Sequence, residues 1–315
     1  MTGSGTFGAS LAAVFGAIRV RADVVLAPFT TFRLGGPAEW LLETRNSDEL
    51  LAALKMAHGC GVPVTILGGG SNALVADAGI GGLVIRARGG NVHEVDQTRV
   101  RADAAVTING LVRWTINHGR AGLEAWAGTP GTVGGAVFGN AHFGGRLIGD
   151  IVSDVRLASR DGSTVDVAVS AMAFGYDRSR PQETGEIVLS AVFRVAPGDP
   201  AALRATARSS LAFRKRTQPL DTPSAGCIFR NPEPGRDVLP DGIPWSAGAL
   251  VERAGLKSAS LGGARVSPTH GNFIVNDGTA TSADVRQLIE QCRRVVRERF
   301  GVELREDIVY LGHFE

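Results

Sequence analysis

Cysteine is scarce in this 315-residue chain: Cys60, Cys227 and Cys292 are its three. They are too few and too scattered for a disulfide framework or a CxxC metal site, so a reducing, cytoplasmic setting and no metal are expected. A surplus of charge is missing too. The 33 basic and 31 acidic side chains leave a formal charge of +2, which provides no electrostatic footprint for nucleic acid or for an acidic membrane surface. No apolar run reaches membrane-spanning length. The segment 9–20 (ASLAAVFGAIRV) resembles a signal-peptide core, but no Lys or Arg precedes it, and it reads as a packed N-terminal helix. No internal repeat is visible. These absences leave a small molecule as the expected partner; a monomer is expected, although the sequence itself does not reveal oligomeric state.

With 44% hydrophobic and 20% charged residues, the chain has the makeup of a globular enzyme of two or three domains. Its 42 glycines are about twice the usual ~7%. They cluster, which points to particular backbone conformations.

From Ala38 the pattern is a strand (AEWLLET), a helix opened by Ser47 with Asp48 and Glu49 in its first turn, then a strand (PVTIL) running into a glycine loop. Further strands are expected at 82–87, in NVHEV and in RVRADA, and a helix from Thr107 to His118. Alternation on either side of Asp161-Gly162 marks a hairpin of 151–158 with 164–167, and 186–195 adds a strand. After Asp199 come a helix to about Arg216, a helix at 247–254, short strands, a long helix at 282–300 and a last strand. An extension (1–27), a two-part domain (28–198, divided near 90) and a C-terminal α+β domain (199–315) follow from this order.

Two glycine segments carry the chemistry. Gly68-Gly69-Gly70-Ser71-Asn72 follows a buried strand, where residues without Cβ let backbone N–H groups approach an anion. Gly128 to Ala141 again gathers glycines and hydroxyls. A tight turn needing positive φ accounts for one or two of these glycines; a phosphate cradle accounts for more. Neither segment has the GKS/GKT of a P-loop or the GxGxxG of a Rossmann site, so a different dinucleotide fold is indicated.

The wording of these segments resembles a known family. TTFRLGG (30–36), LGGGSNALVAD (67–77) and AGTPGTVGGAVFGNA (127–141) are similar to the FAD domain of the UDP-N-acetylenolpyruvoylglucosamine reductases, or UDP-N-acetylmuramate dehydrogenases. PSAGCIFRNP (223–232), AGALVERAGLK (247–257), GGARVSPTHGNFIVN (262–276) and GVELREDIVYLG (301–312) follow in that family's order. The resemblance implies an α+β, vanillyl-alcohol-oxidase/PCMH-type FAD-binding fold in two subdomains plus a C-terminal substrate-binding domain. It implies non-covalent FAD on Arg33, Gly68, Gly69, Gly70, Ser71, Asn72, Thr129, Pro130, Gly131, Thr132, Gly134, Gly135 and Asn140. NADPH would be the co-substrate and an enolpyruvyl UDP-sugar the acceptor.

Hydride arriving at the distal enol carbon leaves charge beside the substrate carboxylate, which must be stabilised and then protonated. In the family an Arg and a Glu meet the first need and a Ser the second. Cys227 stands at the Ser position, where a thiol with a pKa of about 8.5 can still donate a proton; a small apolar filler is the bland alternative. The family's Tyr-Arg-x-Ser reads Tyr176-Asp177-Arg178-Ser179-Arg180 here. Asp177 would repel the carboxylate, so the loop is expected to shift and bring Arg178 (catalytic) or Arg180 (substrate-binding) into play. The terminal Glu falls on Asp307. Tyr176, Arg230, Asn231 and His270 are further expected substrate contacts, although His270 could equally be a structural histidine. A paralogue acting on another nucleotide sugar is the alternative that these departures raise, and a non-catalytic flavin protein is a third.

Overall fold

The computed structural model describes residues 3–314. The chain divides into two compact units, the first made of residues up to Val24, Ala38–Gly69 and Gly81–Phe213, the second of Val25–Pro37, Gly70–Ile80 and the chain from Arg214 onward.

The first unit holds two larger sheets and two short two-stranded pairs. A five-stranded antiparallel sheet runs in the order Thr164–Ala168, Val152–Ala158, Ile187–Arg194, Arg99–Asp103, Val92–Asp96. The Asp161-Gly162 turn joins the first two, with the Asp161 carboxylate accepting the N–H and O–H of Ser163. Alternate residues of these strands (Val100, Ala102, Val155, Leu157, Ala191, Phe193) are buried with Ile108, Leu111, Val112 and Ile116 of the helix Ile108–Asn117, the expected result of periods near 2 and 3.6 meeting in one core.

The four-stranded sheet has the order Val20–Val25, Pro37–Thr44, Ile80–Ala87, Val64–Leu67, and its last two strands are parallel. The helix Ser47–Gly59 makes the crossover and buries Leu50, Ala53, Leu54 and Ala57. Ser47 is its first residue, but the cap is Asn46, whose Oδ1 accepts the Glu49 N–H at 2.9 Å. The N-terminal helix spans Gly3–Phe15, short of the expected Val20, because Gly16 at φ +87° ends it and Val20 opens a strand.

The second unit packs around the helix Ser282–Phe300, whose buried residues Val285, Leu288, Ile289, Cys292 and Val296 form a single stripe. Thr281 and Asp284 close a capping box at its start, and Gly301 in the left-handed region ends it. Cys292 is a core residue whose thiol burial pushes up to about 12. A three-stranded sheet (Ser260–Leu261, Ala264–Val266, Ile274–Asn276) and a parallel pair (Ala73–Val75 with Val309–Leu311) complete this unit.

Candidate functional site

In the first unit the strand Val64–Leu67 delivers Gly68 and Gly69 against the second glycine segment. A Cβ on Gly69 would lie 2.6 Å from Gly131 Cα, and one on Gly68 would lie 2.7 Å from Thr132 Oγ1. Real side chains do not fit there, so the two loops lie backbone against backbone. Asn109 holds the second loop in shape: its Oδ1 accepts the Gly128 N–H at 2.8 Å, and its Nδ2 donates to the Thr129 carbonyl at 3.2 Å. Thr132 caps the short helix Val133–Phe138 through the Gly135 N–H. Gly134 donates to the Ala104 carbonyl at 2.9 Å. Thr129 and Thr132 are buried and Pro130 is exposed. Asn140, fully buried at φ +43°, spends its amide inside the fold on the Gly175 carbonyl and the Gly149 N–H.

In the second unit five of the motifs converge. Gly70, at φ +60°, sits so close to the Phe29 carbonyl and Thr30 that a Cβ would collide with them, and its own carbonyl accepts from Thr31. Asn72 Nδ2 donates to the Asp307 carbonyl at 2.9 Å, and the Val309 N–H returns to the Asn72 carbonyl. The Asp307 N–H donates to Ile228, and the Arg230 N–H to Arg305, so the C-terminal segment runs beside the Cys227 segment. A Cβ on Gly226 would stand 3.7 Å from the Ser71 carbonyl oxygen. Ser224 donates to the Thr31 carbonyl, and Asn276 Nδ2 to that of Phe32, which fixes the segment that carries the exposed Arg33. The Phe229 backbone is bracketed by both ends of the Asn272 amide, at 2.9 and 2.7 Å. Residues 30–33, 70–72, 227–231 and 305–307 are thereby brought together.

Cys227 is half-buried, and the buried Arg214 lies within electrostatic reach of it. Desolvation lowers the Arg214 pKa to about 10, against the pull of a Cys227 thiolate, so the guanidinium is still a cation at neutral pH. Arg230 has a buried Nε with no hydrogen-bond partner, a costly state unless a ligand supplies one. Asn231 Oδ1 accepts the Ala247 N–H at 3.0 Å. Glu306 pairs with Arg293 at 3.1 Å. His270 is packed edge-on to Phe273, and its Nδ1 accepts the Asn272 N–H at 3.1 Å. Burial, aided by Lys257, lowers its pKa and keeps it neutral.

The Tyr176–Arg180 stretch belongs to the first unit. Asp177 is 3% exposed, at φ +49°, and its Oδ1 lies 2.9 Å from His142 Nδ1. Arg178 is exposed and donates to Glu183 at 2.8 Å; Arg180 forms a two-pronged pair with Glu186 at 2.8 and 3.0 Å. That pairing raises the Arg180 pKa and lowers that of Glu186. Asn109, His142, Arg214 and Gln182, which ties the Phe138 and Asp177 carbonyls together, were not among the expected site residues. A His two residues after Asn140 was the one signal available for His142.

Comparisons with known proteins agree on a family. Residues 218–311 match the family described as UDP-N-acetylenolpyruvoylglucosamine reductase, C-terminal domain, and residues 38–168 match the FAD binding domain family. The chain is 38% identical over 301 residues to a UDP-N-acetylenolpyruvoylglucosamine reductase of Synechococcus sp. (strain JA-3-3Ab), covering 94% of this chain and 93% of that one. It is also 38% identical over 311 residues to the protein of the same name from Acaryochloris marina, covering 97% and 98%. The crystal structure of UDP-N-acetylenolpyruvylglucosamine reductase from Thermus caldophilus superposes with a TM-score of 0.76 at 32% identity, covering 93% and 99% of the two chains. The architecture is the α+β, PCMH-type FAD-binding fold followed by the C-terminal domain of these reductases. The chain belongs to the UDP-N-acetylenolpyruvoylglucosamine reductase family.

Proposed function

We propose that this protein is an FAD-dependent, NADPH-consuming reductase that converts UDP-N-acetylenolpyruvoylglucosamine to UDP-N-acetylmuramate for peptidoglycan synthesis. The observation that carries the reading is the convergence, inside one unit, of the 30–33, 70–72, 227–231 and 305–307 segments, in a chain whose near-full-length relatives bear that name. The shared name favours the enolpyruvyl compound over another nucleotide sugar. Residues 28–198 would form the flavin-binding part and 199–315 the substrate-binding part, and the family matches at 38–168 and 218–311 lie within those bounds.

The residues present suit FAD. The Gly68–Gly69 and Gly131–Thr132 segments lie side by side in a strip that side chains would block, and Thr129 and Thr132 add hydroxyls to the amides, a donor set matched to a diphosphate. Pro130, Gly134, Gly135 and Asn140 shape the second of these loops. When bound, FAD supplies the two-electron chemistry that links NADPH to the enolpyruvyl group.

The protein's own tasks are to bind the UDP-sugar, hold its carboxylate and deliver one proton. Cys227 keeps that proton on its thiol and gives it to the carbon beside the carboxylate. The Arg214 cation then stabilises the thiolate left behind. Arg230, with its unpartnered Nε, and Asn231 bind the substrate, and Asp307 assists at the reacting centre. Arg178 supplies the guanidinium for the carboxylate. Its exposed pair with Glu183 is worth only about 0–1 kcal/mol and is readily exchanged, whereas Arg180 is held more firmly by Glu186. His270 acts by shaping the 267–273 turn. The protein works as a cytoplasmic monomer; among the described residues no helix is long and apolar enough to cross a membrane.

Anaerobic mixing tests this reading. NADPH should reduce the bound flavin, and one equivalent of UDP-N-acetylenolpyruvoylglucosamine should reoxidise it. Flavin that stays reduced would refute the substrate assignment.

A further inference from the structure

The polar face of the Ser282–Phe300 helix borders a cavity of about 860 Å³ that lies wholly in the second unit, within the roughly 300–1,000 Å³ of small-molecule sites. None of its lining residues belongs to the 30–33, 70–72, 227–231 or 305–307 segments. The helical period builds this wall. Arg286, Glu290 and Arg294 recur one turn apart, Arg297 follows on the next turn, and Gln287 and Gln291 stand beside them.

The carboxylates that could neutralise these arginines are committed elsewhere. Arg293, next to Arg294 in the chain, gathers Glu290 at 3.2 Å, Glu303 at 2.8 Å and Glu306 at 3.1 Å. Asp77, also in the lining, gives both of its oxygens to the Ser282 and Ala283 N–H groups. Arg297 keeps only an exposed pair with Glu303 at 3.7 Å, and among the described residues neither Arg286 nor Arg294 forms an ion pair. Arg286 is nevertheless held in place. Its guanidinium lies 5.7 Å from the centre of the Tyr310 ring and 5.6 Å from that of Phe314, and the two rings meet edge to face at 5.0 Å. A cation fixed in this way loses little freedom when it takes up an anion.

We propose that this cavity binds a small phosphorylated molecule, with Arg286, Arg294 and Arg297 as its anion grip. Two guanidinium groups without a carboxylate match about two negative charges, the charge that a phosphate monoester carries. The three arginines come from successive turns of one helix and so reach the ligand from different directions. The tetrahedral oxygens of a phosphate can accept from all of them, whereas a planar carboxylate is matched to one guanidinium fork. Gln287 and Gln291 add amides for the remaining oxygens or for the group that the phosphate carries. The proposal goes beyond the reductase reading and does not depend on it.

Titration calorimetry on the flavin-loaded protein, with FAD in excess, tests it with pyrophosphate and ADP as probes. Each should bind saturably, and Arg294→Gln, at an exposed position, should weaken both about tenfold or more. Arg299→Gln, on the same helix but outside the cavity, should stay within about twofold of wild type. ADP that binds tighter than pyrophosphate assigns a nucleotide; ADP that binds no tighter assigns a bare phosphate anion. In nitrogen–proton NMR the Nε–H signals of Arg286 and Arg294, assigned through Arg286→Gln and Arg294→Gln, should shift with the same concentration dependence as the heat. Absence of saturable binding overturns the proposal. Equal losses in Arg294→Gln and Arg299→Gln overturn it by reducing the effect to net charge, and full binding by the Arg286→Gln/Arg294→Gln double variant overturns it by putting the ligand elsewhere. Citrate that binds as tightly as pyrophosphate overturns the phosphate assignment.

Discussion

Gly69 and Gly131 meet so closely that a Cβ on Gly69 would stand 2.6 Å from the Gly131 Cα. A backbone neighbour cannot swing aside as a side chain can. Gly69→Ala should therefore separate the two loops and weaken FAD binding by about tenfold, roughly 1.4 kcal/mol, while circular dichroism stays native. Unchanged flavin affinity in equilibrium dialysis would show that the close approach does not shape the flavin site.

Cys227 and Arg214 give a prediction that separates the half-reactions. Cys227→Ala should leave flavin reduction by NADPH intact and slow reoxidation by substrate by about 100-fold or more, the usual scale for loss of a general acid. Cys227→Ser should recover part of that loss. Stopped-flow traces in which both half-reactions fall together would make Cys227 a packing residue.

Arg178 and Arg180 differ in what they would have to give up. Arg178→Ala should raise KM for the enolpyruvyl substrate several-fold with little effect on stability. Arg180→Ala should lower the melting temperature, because Glu186, 11% exposed in its side chain, loses its two-pronged partner. The reverse assignment in steady-state kinetics and thermal melts would transfer the carboxylate role to Arg180.

Asp77 closes the start of the Ser282–Phe300 helix with both carboxylate oxygens, on the Ser282 and Ala283 N–H groups at 2.9 and 3.0 Å. Loss of such a cap costs about 0.5–2 kcal/mol. Asp77→Ala should show that loss in urea unfolding, without change in the flavin spectrum.

His270 contributes a pH dependence. Burial depresses its folded-state pKa below the usual value, so the unfolded chain binds the extra proton first. The stability tied to its neutral form is full above about pH 6.5 and is lost as pH falls toward the depressed value. His270→Gln should flatten the stability profile over that window, and a profile parallel to that of the wild type would rule out this contribution.

The elements were legible where local signals dominate. The 282–300 helix and the Asp161-Gly162 hairpin stand where alternation and turn chemistry put them. Single-residue details went to neighbours that compete on nearly equal terms: Asn46 took the cap expected of Ser47, and Gly16 ended a helix that composition alone would carry to Val20. The candidate site was legible only as motifs. Nothing local says that Asn72 will bond to Asp307, 235 residues later, or that Asp177 will bury its carboxylate on His142 instead of facing ligand. Positive φ at Asp177 and the clamp from Gln182 arise from tertiary packing.

The central claim is the identity of the hydride acceptor. The measurement that tests it most directly is anaerobic reoxidation of the NADPH-reduced holoenzyme by UDP-N-acetylenolpyruvoylglucosamine, with the product identified by mass. The account predicts rapid return of the oxidised flavin spectrum and stoichiometric UDP-N-acetylmuramate; a flavin that stays reduced with this compound but reoxidises with another UDP-sugar would contradict it.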